Sequence, residues 1–199
     1  MSAVAISDVL RDSRIWQGPR HAQAMVEPTG HAHLDAALPG GGLPVGALTE
    51  VLHAYDGTNE LTLLLPLITR LTQARRRIVF AHPPYIPYPP AFVAAGADPW
   101  LFHTIANCGD EGLWAAEQCL RSSTCALVAC WPRQANDRQL RRLQLAAESG
   151  KAIGVVFRNA RAAMAASPAA VRLRANADGI QVLKCRGGNA RAQRVGIRC

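Results

Sequence analysis

Little in this chain marks a metal centre, a disulfide framework or a membrane span. Its six cysteines (Cys108, Cys119, Cys125, Cys130, Cys185 and Cys199) include no C-x-x-C pair, and several sit in apolar stretches such as residues 124–130. They read as buried free thiols of a reducing compartment. The six histidines do not fall at ligand spacing with the cysteines; His31 and His33 are two apart, with no further ligands in sight. The longest apolar run, residues 61–71, is broken by Thr62, Pro66, Thr69 and Arg70, too short and too polar for a bilayer. Asp8, Arg11, Asp12 and Arg14 near the start exclude a secretory signal, so the expected location is the cytoplasm. No internal repeat is visible.

Lysine is nearly missing too: 20 of the 22 basic residues are arginine, which favours bidentate pairing with phosphate or carboxylate. Acids are scarce at one end. Residues 151–199 hold ten Lys/Arg against the single acid Asp178, whereas residues 1–150 hold twelve against thirteen. The whole excess of the +8 net charge therefore lies in the C-terminal quarter, which suits a nucleic-acid or acidic-protein partner without choosing between them.

What is there suits one domain of 199 residues, 49% hydrophobic, with short extensions. Residues 4–16 could form a short amphipathic helix, and residues 17–33 read as a linker, giving an N-terminal region of residues 1–33. The core is expected over residues 34–186. Strands are expected at residues 47–52, 77–81, 102–106, 124–130 and 152–157. Helices fall between them at residues 60–75, kinked at Pro66, 110–121, with Asp110 as N-cap, and 137–149, stopped by Gly150. Residues 82–90 are a rigid proline-rich stretch. Residues 171–175 and 180–185 flank a turn and read as a hairpin, and residues 187–199 form a basic flexible tail. Such alternation points to an α/β fold, a mainly parallel twisted sheet with helices on both faces and a C-terminal β-hairpin. Trp100, Trp114 and Trp131 read as core or loop packing rather than a base-stacking platform.

The sharpest local signal is the run from Leu34 to Val51, L-D-A-A-L-P-G-G-G-L-P-V-G-A-L-T-E-V. It resembles the approach to the phosphate loop in the RecA family, where L-D-x-A-L, a glycine-rich G-L-P-x-G turn and a strand ending in E-[VI] follow in that order. The resemblance implies a RecA-like core. It also implies where chemistry should be, and there the chain departs from the family. The phosphate loop needs glycines for backbone N–H groups, a lysine for the β/γ-phosphates and a hydroxyl for Mg²⁺. In its place stands a degenerate loop at Gly57, Thr58, Asn59 and Glu60, with Thr58 where lysine belongs. Asp56 and Glu60 bring carboxylates to the seat of the phosphate and can cap its N–H groups instead. The family's glutamate base follows the next strand; here His82-Pro83-Pro84 follows it. The family's metal-organising aspartate ends a later strand; here that strand ends at Cys130. Nothing remains to hold Mg²⁺ or activate water, so no enzyme activity, no cofactor and no metal are expected.

Within that superfamily, Thr49-Glu50-Val51, Leu63–Leu67 and Gly150–Arg158 resemble two degenerate branches, the cell-division inhibitors of the SulA family and the translesion-mutagenesis accessory proteins of the ImuA family. The Arg14-Ile15-Trp16-Gln17-Gly18 segment, the well-kept 34–51 run and the basic end look more like ImuA. That resemblance implies a non-catalytic adaptor of damage-induced (SOS) translesion synthesis. Its partners would be an ImuB-type polymerase-like protein and/or RecA, and indirectly an error-prone polymerase α subunit, with no membrane. The alternatives left open are a SulA-like division inhibitor and a DNA-binding RecA-like regulator. Candidate partner contacts are Tyr85 and Tyr88 in the proline-rich stretch. Lys184 and Arg186 are two more, matching a family strand that touches a neighbouring subunit; any edge strand can also carry such charges against aggregation. Candidate nucleic-acid contacts are Arg158, Arg161, Arg191, Arg194 and Arg198, the first two in the loop that follows the 152–157 strand.

Overall fold

A computed structural model of the chain describes residues 25–55, 60–106, 111–176, 179–187 and 194–195. The helix expected at residues 4–16, Asp56, Gly57, Thr58, Asn59, Cys108, Asp110, Asp178, Arg191, Arg198 and Cys199 lie outside the described residues. So does the side chain of Arg194.

The continuous apolar runs become the strands β3 (Ala47–His53), β4 (Arg77–Ala81), β5 (Phe102–Ile105), β6 (Cys125–Cys130) and β7 (Ile153–Asn159). The hairpin forms as expected from β8 (Val171–Asn176) and β9 (Gly179–Cys185). Two short strands precede them, β1 (Val26–Glu27) and β2 (Leu43–Pro44), paired with each other. Within residues 187–199, Arg194–Val195 add a two-residue strand, β10, antiparallel to β9. The main sheet runs β10-β9-β8-β3-β7-β6-β4-β5; its strands from β8 to β5 are all parallel, and β9 and β10 are antiparallel additions at one edge.

The helices are α1 (Ala32–Ala37), α2 (Leu65–Gln73), α3 (Pro89–Ala94), α4 (Gly112–Arg121) and α5 (Asp137–Gly150). Period-2 alternation along the strands sends side chains to both faces. Val51, Ile78, Phe80, Leu127, Val155, Phe157 and Leu173 form one core with residues of α1, α2 and α3. Leu48, Val79, Val128, Cys130 and Val156 form the other with Ala116 and Leu120 of α4 and Leu140 and Leu143 of α5. The fold is therefore the expected mixed α/β architecture, a mostly parallel sheet flanked by helices and closed by an antiparallel hairpin. No helix among the described residues is long and apolar enough to cross a membrane.

Several local expectations need correction. Pro66 does not kink a helix over residues 60–75; turns occupy residues 60–64, and Pro66 lies in the first turn of α2. There its missing N–H removes no helical hydrogen bond. Gly150 does not end α5 through its conformation: the left-handed residue is Lys151, with φ 51°. Gly150 is needed for space, because a Cβ there would stand 1.8 Å from the Leu120 carbonyl oxygen of α4. The same device recurs two residues before β4 and β6, at Arg75 and Ser123, each with φ 59°. Residues 25–33, expected as linker, are built into the fold: Thr29 is fully buried, and Glu27 pairs with Arg70 and Arg76. Trp131 is core, but Trp100 and Trp114 are exposed, the one in the Pro99–Leu101 turn and the other on the outer side of α4.

Candidate functional site

In open, mostly parallel sheets, ligands bind beyond the C-terminal ends of the strands, where neighbouring strands send their connections to opposite faces. β4 and β6 are such neighbours. The chain leaves β4 for α3 on one face and leaves β6 for α5 on the other. Between the two departures opens a cleft of about 770 Å³, lined by His53, His82, Trp131, Arg133 and Phe157 with Tyr85 and Ile86 at its side.

Its floor is aromatic. Trp131 stacks on Phe157 with centroids 4.6 Å apart and meets Phe80 edge-on at 5.0 Å; Phe80 meets Phe102 at 4.6 Å. Each such pair contributes about 0.5–1.5 kcal/mol beyond burial, so the floor is stiff. The indole Nε1 of Trp131 is buried without a hydrogen-bond partner among the described residues. His82 occupies the position where the family resemblance puts a glutamate base. It is held with φ 53°, a left-handed conformation uncommon for a non-glycine residue, and its N–H donates to the Ile105 carbonyl at 2.7 Å. Gly112 makes room for it, since a Cβ there would lie 2.9 Å from that of His82. β6 ends in Cys130, whose fully buried thiol is pushed up to about 12 by desolvation. Glu60, of the degenerate loop, is buried at 4% exposure. Among the described residues no three of His, Cys, Asp and Glu come together as a metal site, and His31 lies instead by the Thr62 carbonyl at 3.3 Å.

The proline-rich stretch presents its side chains outward. Tyr85, Ile86 and Tyr88 are 67%, 89% and 69% exposed. Lys184 and Arg186 turn toward the chain itself: Lys184 Nζ donates to the Ser167 carbonyl at 2.8 Å and Arg186 to that of Pro168 at 3.3 Å. Burial, with Arg186 and Arg172 nearby, lowers the Lys184 pKa. Arg161 is exposed, but Arg158 is folded inward.

That inward turn reveals residues the sequence reading missed. Glu50, in the middle of β3, has no exposure at all; one carboxylate oxygen accepts from Arg158 of β7 and the other from Arg172 of β8. Arg158 also donates to the Ala135 carbonyl at 3.0 Å, in the loop after β6. Arg172 donates to the carbonyls of Ala162, Ala163 and Ala165 at 2.8, 3.2 and 3.1 Å, in the loop after β7. One buried carboxylate thus anchors both loops through two arginines. An acid inside an otherwise apolar strand was the available signal, since such a charge must find a partner.

Fold and cleft together define a doubly covered α/β domain with a ligand-type cleft at its strand ends. No family model matches the chain, and no curated protein does. Among solved structures, SulA from Pseudomonas aeruginosa is similar over 56% of this chain and 97% of its own, at 22% identity and a TM-score of 0.46.

Proposed function

We propose that this chain is a non-catalytic accessory protein of damage-induced translesion synthesis, working through protein contacts. The observation that carries the non-catalytic part is the furnishing of the strand ends. Where the RecA-family resemblance requires a base and a metal-organising acid, the chain has His82 in a strained backbone and a buried Cys130 followed by Trp131. Without carboxylates at those two positions, Mg²⁺ and an attacking water lose their holders.

Contact by protein surfaces is supported by the exposed Tyr85, Ile86 and Tyr88 beside the cleft, since clustered exposed aromatics mark interaction sites. The identity of the partner, an ImuB-type polymerase-like protein and/or RecA, rests on the sequence resemblance to the ImuA family. A direct DNA role through the loops at residues 131–136 and 158–168 is weakened because Arg158 is engaged inside the fold, leaving the exposed Arg133 and Arg161 and the basic end.

The test is a pull-down from damage-induced cells with the full chain and with a Tyr85→Ala/Tyr88→Ala variant. Recovery of the polymerase-like protein or RecA, reduced at least tenfold by the double variant, is expected. Capture of the tubulin-like division protein in their place overturns the reading in favour of a SulA-like inhibitor. Mg²⁺-dependent ATP turnover by the purified chain overturns its non-catalytic part.

A further inference from the structure

The cleft at the strand ends does not stand alone. Two smaller hollows, of about 630 and 270 Å³, adjoin it, and all three share Pro132 and Arg133 in the loop after β6. Among the described residues, none that lines any of the three is Asp or Glu. Two arginines do line them. Arg158 is committed to Glu50, whereas Arg133 is exposed and makes neither hydrogen bond nor ion pair with any described residue. A concave surface with a spare cation and no carboxylate of its own draws anions toward it.

The lining also says which anion. A phosphate seat is built from backbone N–H groups, at a glycine-rich turn or a helix start. The main cleft has no glycine in its lining, and Pro83, Pro84 and Pro132 supply no N–H. The start of α5 borders the 630 Å³ hollow through Asn136 and Gln139, but those two side chains close it with their own capping box. A nucleobase needs an open aromatic face, and Trp131 is only 6% exposed with Phe157 stacked on it. What remains is an apolar trough with an aromatic floor and exposed Tyr55, Tyr85 and Ile86 on its walls. Such a trough suits a peptide's apolar side chain, with the guanidinium of Arg133 meeting a carboxylate beside it.

We propose that these adjoining hollows receive an acidic peptide segment of a partner protein, with an aromatic side chain over the Trp131–Phe157 floor and a flanking carboxylate on Arg133. The proposal rests on the protein-contact reading of the same cleft and adds the chemistry of the segment that enters it. The apolar side chain supplies burial, and the arginine selects segments by charge and steers them in.

The experiment titrates the nitrogen-15-labelled full chain with three acetylated, amidated peptides, DDFDD, DDADD and KKFKK, and with a thymidine pentanucleotide. The reporter is the indole N–H resonance of Trp131, identified by its loss in Trp131→Phe. Where that core variant does not fold, elimination with Trp16→Phe, Trp100→Phe and Trp114→Phe identifies it. DDFDD is expected to shift the resonance saturably, to bind at least about tenfold more tightly than DDADD or KKFKK, and to weaken as salt is raised. Arg133→Ala should weaken DDFDD at least about fivefold. Leu145→Ala, exposed on α5 and outside all three linings, should leave it unchanged. No saturable shift by DDFDD, equal binding of KKFKK, or tighter binding of the pentanucleotide overturns the proposal. If the pull-down still depends on Tyr85 and Tyr88, that failure leaves the adaptor reading standing; if the pull-down fails as well, both fall.

Discussion

The two ends of β3 have been treated differently. The approach, residues 34–46, is built tightly. Leu34 and Leu38 are buried, and Asp35 accepts from the Thr29 N–H and hydroxyl, both at 2.7 Å. Gly40 and Gly46 have positive φ, and a Cβ on Gly42 would stand 2.3 Å from the Glu27 carbonyl oxygen. The exit is looser: Ala54 and Tyr55 are exposed, Tyr55 at 76%. The glycine-rich run therefore looks like a nucleotide motif yet is held in place by packing and turn geometry. A resemblance confined to that run reports on the fold, and the chemistry has to be read at the other end of the strand.

The comparison breaks most severely at the strand's midpoint. Glu50→Ala leaves two arginines buried without their carboxylate and should cost about 3–5 kcal/mol, measured by urea unfolding. Both loops anchored through Arg158 and Arg172 should lose hydrogen-exchange protection together. Gly42→Ala tests the approach: the new Cβ meets backbone, so a loss of about 1–3 kcal/mol is expected by the same assay. Tyr55→Ser tests the exit and should change stability by less than about 0.5 kcal/mol; a larger loss would show that the exit is also under structural constraint. An effect of the opposite sign concerns the strand beside β3. Lys151→Gly relieves a left-handed non-glycine residue ahead of β7 and should stabilise by up to about 1 kcal/mol, seen as a small rise in Tm.

The strands were legible because runs such as residues 77–81 and 125–130 are apolar enough to be buried on both faces. The hairpin was legible from its turn residues. The helix starts were harder. Asn136 and Gln139 close a reciprocal capping box at α5, with both bonds 2.9 Å. α1, only six residues with no side-chain cap, was not anticipated. The left-handed Arg75, Ser123 and Lys151 are invisible to any rule that expects glycine there. At the site, His82 and Trp131 could be placed at strand ends, but the cleft between them follows from which face each connection takes. The carboxylate anchor escaped entirely, because Arg158 and Arg172 lie 108 and 122 residues from Glu50 and no spacing rule spans that distance.

The position of β3 between β7 and β8 also governs how the chain can assemble. As the protein emerges from a ribosome, β3 is made early, yet both of its sheet neighbours come more than a hundred residues later. A fully buried strand with neither edge satisfied must then wait through most of synthesis. High contact order of this kind slows folding and leaves the waiting strand open to wrong pairings. The buried Glu50 is a charge that such wrong pairings would have to bury without its arginines, so the same residue that completes the native sheet penalises its premature substitutes.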